Sequence, residues 1–205
     1  MMIGGVLIER PNLAAFGRVD VELIARSLGR IVRFAGATDI PVSVLTHSIA
    51  VAELCYEYWS SEALAICGLV HDVTECVISD VPRPFKPESL CELEQELLEE
   101  FYKAHDLKFP GIYGDRRVIK SCDDLCLAYE AQTHGMRDWE KIPAFAHPQI
   151  TERDLQVLRP VYSRFPFSKT LIDRDIWHMF ALAVHHKQYR VFHEYFFGTT
   201  ETLSR

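Results

Sequence analysis

Apolar residues recur along this chain at spacings of three and four almost throughout, and the strict alternation of a half-buried strand is scarce. Ile24, Leu28, Ile31 and Val32 mark a first amphipathic helix from about residue 20. A second begins after Pro41 with Ser43 as its cap, and Val44, His47, Val51, Leu54 and Tyr58 share one face, so His47 points inward among aliphatics. A third opens at Ser60 or Ser61, with His71 and Asp72 on its last turn. Pro82, Pro84 and Pro87 then enforce a non-helical turn. The fourth helix buries Leu90, Leu93, Leu97 and Phe101, and sets Glu92, Glu96, Glu99 and Glu100 towards water without a functional role. The fifth runs from near Asp115 to near Gly135, a C-terminal glycine, with Ile119, Cys122, Asp123, Leu127 and Glu130 close to one side. After a loop over 136–150, two more helices are expected, one capped by Thr151 and one from about Ser168 to Gly198. The pattern predicts an all-α protein in one domain over 1–205, its core at about 20–135 and the C-terminal helices of 151–198 packed on it.

Composition narrows the class. A hydrophobic fraction of 48% with 25% charged residues is that of a folded globular chain. The net charge of −7 argues against gripping long nucleic acid by its phosphates, while a few local cations leave room for a small anionic ligand. The N-terminal stretch lacks the basic start and cleavage site of a signal peptide, and no run approaches the ~18 apolar residues of a membrane span. The expectation is a cytoplasmic protein with no membrane partner. The six cysteines show no CxxC and fall within helical patterns, which reads as buried reduced thiols.

One stretch departs from ordinary patterning. "GLVHDVTECVISDVPRPFK", residues 68–86, places His71 and Asp72 directly after a buried apolar run, then Glu75, Asp80 and Lys86. Ionisable groups at the inner end of a helix need a partner, and a metal ion is one that satisfies them together. His47, His71, Asp72 and Asp123 make a mixed nitrogen and oxygen donor set suited to Mn, Co, Fe or Zn and poorly suited to Ca. Glu75, four residues after His71, projects beside that ligand and is placed to orient or deprotonate a water. His105, His178, His185, His186 and His193 read as ordinary core or surface histidines, and the adjacent His185 and His186 face two directions with no acid to pair them.

The order H, then HD 24 residues on, then E at plus four, D at plus nine and a later inward D resembles the HD-domain phosphohydrolase superfamily. More narrowly, "HDVTECVISDVPRPFK" resembles the HDxxExxxxDxPxPxK signature of YfbR-like 5′-deoxynucleotidases and their phage relatives, which include DatZ-type dATP triphosphohydrolases. "RFAGATDIPVSVLTHS" and "VIKSCDDLCLAYEA" resemble that family's segments before the first histidine and around the last aspartate, and Asp123 rather than Asp124 matches the ligand position. The resemblance covers 30–131, about half the chain. It implies an HD-domain helical bundle in which His47, His71, Asp72 and Asp123 are metal ligands and Glu75 handles the attacking water. Asp80 would assist at the sugar or in proton transfer, Arg33, Lys86 and Lys120 would hold phosphate oxygens, and Phe34 would lie near the nucleoside. It implies one divalent transition metal (Co, Mn or Zn), with room for a second ion such as Mg on the substrate phosphates, and a homo-oligomer, dimer or hexamer, in the cytoplasm, the host's if a phage encodes it. Lys86 and Lys120 together favour a dATP or other dNTP triphosphohydrolase releasing triphosphate and deoxynucleoside. The alternatives are a 5′-deoxynucleotidase acting on dNMPs and, from another class, a non-catalytic nucleotide-binding protein.

Overall fold

A computed structural model describes residues 1–3, 5–82, 85–108, 115–142 and 148–198. It is all-α apart from an N-terminal hairpin of β1, Met2–Ile3, and β2, Val6–Leu7, paired antiparallel. A 3₁₀ segment over Arg10–Arg18 leads into α1, Val21–Leu28, whose Asp20 side chain caps the Glu22 N–H. A second 3₁₀ turn, Arg33–Gly36, precedes α2, Val44–Trp59, capped by Ser43 as its sequence predicts. Then come α3, Glu62–Val70, the short α4, Glu75–Ile78, and α5, Glu88–Ala104. After these follow α6, Asp115–Thr133, and α7, Glu152–Arg164. The chain finishes with α8, Phe167–Thr170, α9, Arg174–His186, and α10, Tyr189–Phe197.

The organising element is α2. All twelve residues from Val44 to Cys55 are buried, so this helix is covered on every side and forms the axis on which the others pack. It packs against α3, α6 and α7, while α9 covers α1 and α10 covers α3 and α9. Fully buried Leu45, Ile49, Leu54 and Leu69 meet Phe165, Phe180 and Phe192 there in one apolar core. Each such side chain contributes roughly 1.5–3 kcal/mol through removal from water. Gly68 permits the close α2–α3 approach: a Cβ there would stand 3.2 Å from the Ala52 backbone. This contact matters for chemistry, because it sets the end of α3, and with it His71 and Asp72, beside the helix that carries His47.

Three expectations are corrected. α3 stops at Val70, with His71 as its cap residue, so the His-Asp pair stands on the turn after the helix rather than in its last turn. The single long helix expected over 168–198 is three: Asp173 restarts the chain by accepting from the Asp175 N–H, and Lys187 ends α9 in the left-handed region at φ 56°. Neither stop involves a glycine or proline, the residues that usually announce one. Cys91 is exposed, whereas the other five cysteines are buried; all six are free thiols. Of the proline turn, residues 83 and 84 lie outside the described residues, as do 143–147 of the loop before α7. Among the described residues, no helix is long and apolar enough to cross a membrane.

Candidate metal centre

Three segments converge on one cluster: α2 supplies His47, the turn after α3 supplies His71 and Asp72, and α6 supplies Asp123. His47 is fully buried. Its Nδ1 lies 2.9 Å from Glu130 Oε1, and a carboxylate there requires the ring proton on Nδ1, which leaves the Nε2 lone pair facing the cluster. His71 is oriented in the same sense by a backbone group, its Nδ1 donating to the Gly68 carbonyl at 2.7 Å. His71 Nε2 is 3.0 Å from Asp72 Oδ2, and His47 Nε2 is 3.2 Å from Asp123 Oδ1 and 3.8 Å from Asp72 Oδ2. Although acids are close, neither Nε2 atom has a hydrogen bond, and both are shut off from solvent. Two buried, unsatisfied imidazole nitrogens aimed at carboxylates are costly in a protein left to itself. A metal ion removes that cost, and His47, His71 and Asp72 present donor atoms close enough to share one. Asp123, beside His47 Nε2, fits as a fourth donor.

The electrostatics agree with this demand for positive charge. Burial and the Arg33 charge push His47 down, yet Glu130 and Asp123 raise it to about 9. Burial raises the Asp72 and Asp123 carboxyls, but His71 beside Asp72, and His47 beside Asp123, hold both below the usual carboxylate range. Behind the cluster stands Glu130, fully buried, which accepts from Arg33 Nε at 3.0 Å and from the Tyr162 hydroxyl at 2.5 Å as well as from His47. Burial opposes its charge, and Arg33 and His47 overcome that and hold it at about 2. Glu130 is thus the ionised acid that fixes the His47 tautomer, the usual outer partner of a metal-binding histidine. Patterning placed it on the inner side of its helix without a role, and nothing in the sequence pointed to Tyr162.

Glu75 opens α4 next to the cluster. Burial, with Asp72 and Asp80 nearby, holds its carboxyl well above the ordinary range, and its Oε2 is buried without a hydrogen-bond partner. Arg33 reaches the same region, with Nη1 3.6 Å from Asp72 Oδ2. Phe34 follows it at φ 57° and Ala35 at φ 51°, two left-handed residues in succession, which costs on the order of 1–3 kcal/mol each for residues that carry a Cβ. Asp80 offsets part of that by accepting the Phe34 N–H at 2.9 Å. Asp80 therefore braces the turn that carries Arg33, a task the sequence did not suggest.

A cavity of about 800 Å³ opens from the cluster. His71, Asp72, Asp123, Glu75, Asp80, Arg33, Phe34 and Lys86 all border it. Lys120 does not: its ammonium pairs with Asp124 and lies 3.3 Å from Asp123 Oδ2. Lys86 borders the cavity in a 2.5 Å ion pair with Glu94. The far wall comes from α5, whose Cys91, Glu94, Gln95 and Leu98 the patterning gave no role, and Met136 and Ile142 complete an apolar end.

No protein-family model matches the chain. The chain is 30% identical over 142 residues to a protein of Escherichia coli (strain K12), described as "Uncharacterized protein YfdR", a match that spans 65% of this chain and 71% of that protein. With the match reaching across most of both sequences, this chain belongs to the same family as YfdR.

Proposed function

We propose that this protein is a divalent-metal-dependent phosphohydrolase of deoxynucleotides. The observation that carries the reading is the pair of buried, tautomer-fixed Nε2 atoms of His47 and His71, set among Asp72 and Asp123 beside a cavity that a buried acid and two cations also border. His47, His71, Asp72 and Asp123 would hold the ion, and their nitrogen and oxygen donors suit Mn, Co or Zn. Such an ion supplies Lewis acidity, lowering the pKa of a water and neutralising phosphate charge.

The protein's own groups account for the remaining needs of hydrolysis. Glu75, with its raised carboxyl and unpartnered Oε2, is placed to take a proton from the attacking water. The new bond forms between that water oxygen and phosphorus, the P–O5′ bond breaks, and the proton passes on to the departing 5′ oxygen. Arg33 and Lys86 face the cavity as phosphate-holding cations, and Phe34 offers its ring to the nucleoside. Arg33 stays charged because Glu130, with Asp80 and Asp72 behind it, overrides the desolvation of burial.

The same bond breaks whether one phosphate or three hang from the sugar, so the number of cations discriminates. A monophosphate brings about two negative charges, a triphosphate about four. Lys120, needed for the larger count, stands outside the cavity in its pair with Asp124, which supports a 5′-deoxynucleotidase acting on dNMPs. The dATP or dNTP triphosphohydrolase is the second reading, favoured by the cavity's volume and by a Mg ion that a triphosphate can bring with it. Product analysis with Mn, Co and Zn tests both. Deoxynucleoside plus inorganic phosphate from dNMP supports the first, and deoxynucleoside plus triphosphate from dNTP the second. The absence of either in metal-loaded protein leaves a nucleotide-binding protein without turnover. Glu75→Gln is expected to retain the ion while turnover falls on the order of 10²-fold or more.

A further inference from the structure

A second histidine is prepared as His47 is, and no step above uses it. His193, on α10, is 4% exposed, and its Nδ1 lies 2.9 Å from Glu53 Oε2. Glu53 Oε1 in turn accepts the Tyr189 hydroxyl at 2.7 Å. The trio repeats the arrangement of His47, Glu130 and Tyr162: a buried carboxylate takes a tyrosine hydroxyl and an imidazole Nδ1, and so directs the other ring nitrogen away from itself. As at His47, that Nε2 atom is buried and has no hydrogen bond.

The ring cannot readily turn to cure this, being packed between Tyr56, with centroids 5.0 Å apart, and Phe197, at 5.4 Å. It borders a cavity of about 290 Å³ shared with Glu53 and Glu57. Glu57 is exposed, stands one turn after Glu53 on α2, and with Glu53 and His193 forms a group whose donor atoms lie within 4.8 Å of one another. Arg153 also borders the cavity, but its guanidinium stacks on the Tyr58 ring at 4.1 Å and donates to the Glu57 backbone carbonyl at 3.4 Å.

We propose that His193 and the Glu57 carboxylate, which share this cavity, form a second divalent-cation site, with Glu53 holding the imidazole as Glu130 holds His47. One imidazole and one exposed carboxylate with open positions for water suit a borderline ion such as Zn, Ni or Co rather than Ca. The cavity is separate from the one that holds Glu75 and Lys86, so the site stands independently of the proposed hydrolase activity.

Metal stoichiometry of the full chain decides it. Chelator-stripped protein is titrated with Zn, and bound metal is counted after gel filtration for wild type, His47→Ala, Asp72→Ala, His193→Gln and Glu57→Gln. The expected result is one equivalent that survives His47→Ala and Asp72→Ala and is lost, or bound at least tenfold more weakly, in both His193→Gln and Glu57→Gln. Glu57 is exposed, so its variant reports on the site even where His193→Gln fails to fold. Stoichiometry and affinity unchanged in Glu57→Gln, or all bound zinc disappearing in His47→Ala, overturns the proposal.

Discussion

Glu130 meets three side chains from other elements at once: Arg33 from the turn before α2, His47 from α2 and Tyr162 from α7. Replacing it with Gln keeps the shape but lets the His47 ring choose its tautomer, because an amide can donate as well as accept. Glu130→Gln is expected to weaken metal binding on the order of 10–100-fold, measured by competition with a chelating dye. An unchanged affinity would make Glu130 a packing residue only. Asp72→Ala removes a proposed ligand itself, so bound metal and the proposed activity should disappear together. The candidate donors were legible in the chain, since His71 and Asp72 are adjacent and His47 lies on an apolar face. Glu130 was not legible as an outer partner, because its contacts lie 97, 83 and 32 residues away and helical periodicity carries no record of them.

At the scale of elements, the two ends of the C-terminal half differ in how plainly they are written. α7 begins with a full capping box: Thr151 accepts from the Asp154 N–H, and Asp154 accepts from the Thr151 N–H at 2.7 Å. Thr151→Ala should cost about 1 kcal/mol in urea unfolding. The same box gives a pH dependence of known sign. Burial raises the Asp154 carboxyl, but hydrogen bonds from Thr151 and Tyr58 lower it below its ordinary value of 3.8. Its contribution is therefore complete above the unfolded value and is lost as pH falls through the lower folded one. Asp154→Asn should flatten that part of the acid-unfolding profile, and an identical profile in the variant would remove the box from the account. The breaks at 171–173 and Lys187 were not legible in this way, because no glycine or proline stands at either and packing on α1 and α3 decides where the helices turn.

For the molecule as a whole, the candidate metal centre joins α2, the turn after α3 and α6, so an ion bound there would tie together elements that pack on one core. A ligand at one hundred times its Kd stabilises the folded state by about 2.7 kcal/mol. For a chain of this size that raises Tm by on the order of 5–10 °C. Chelation should lower the thermal midpoint by that amount and re-addition of Mn or Co restore it; a midpoint indifferent to both would count against the cluster as a metal site.

The sequence by itself determined the all-α class, the inner faces of the helices up to α6, and the chemical types gathered near residues 71–86, because each depends on spacing along one helix or on neighbouring residues. Only the tertiary structure decided how those groups are used. It set Glu130 and Tyr162 behind His47, gave Asp80 a brace on a strained turn, placed Lys120 outside the cavity, and brought the α5 residues Glu94 and Gln95 to its wall. The physical reason is that burial is encoded by period, whereas a charge or a hydrogen-bond donor is satisfied by whatever lies within about 3 Å of it, and that neighbour is chosen by the packing of helices far apart in the chain.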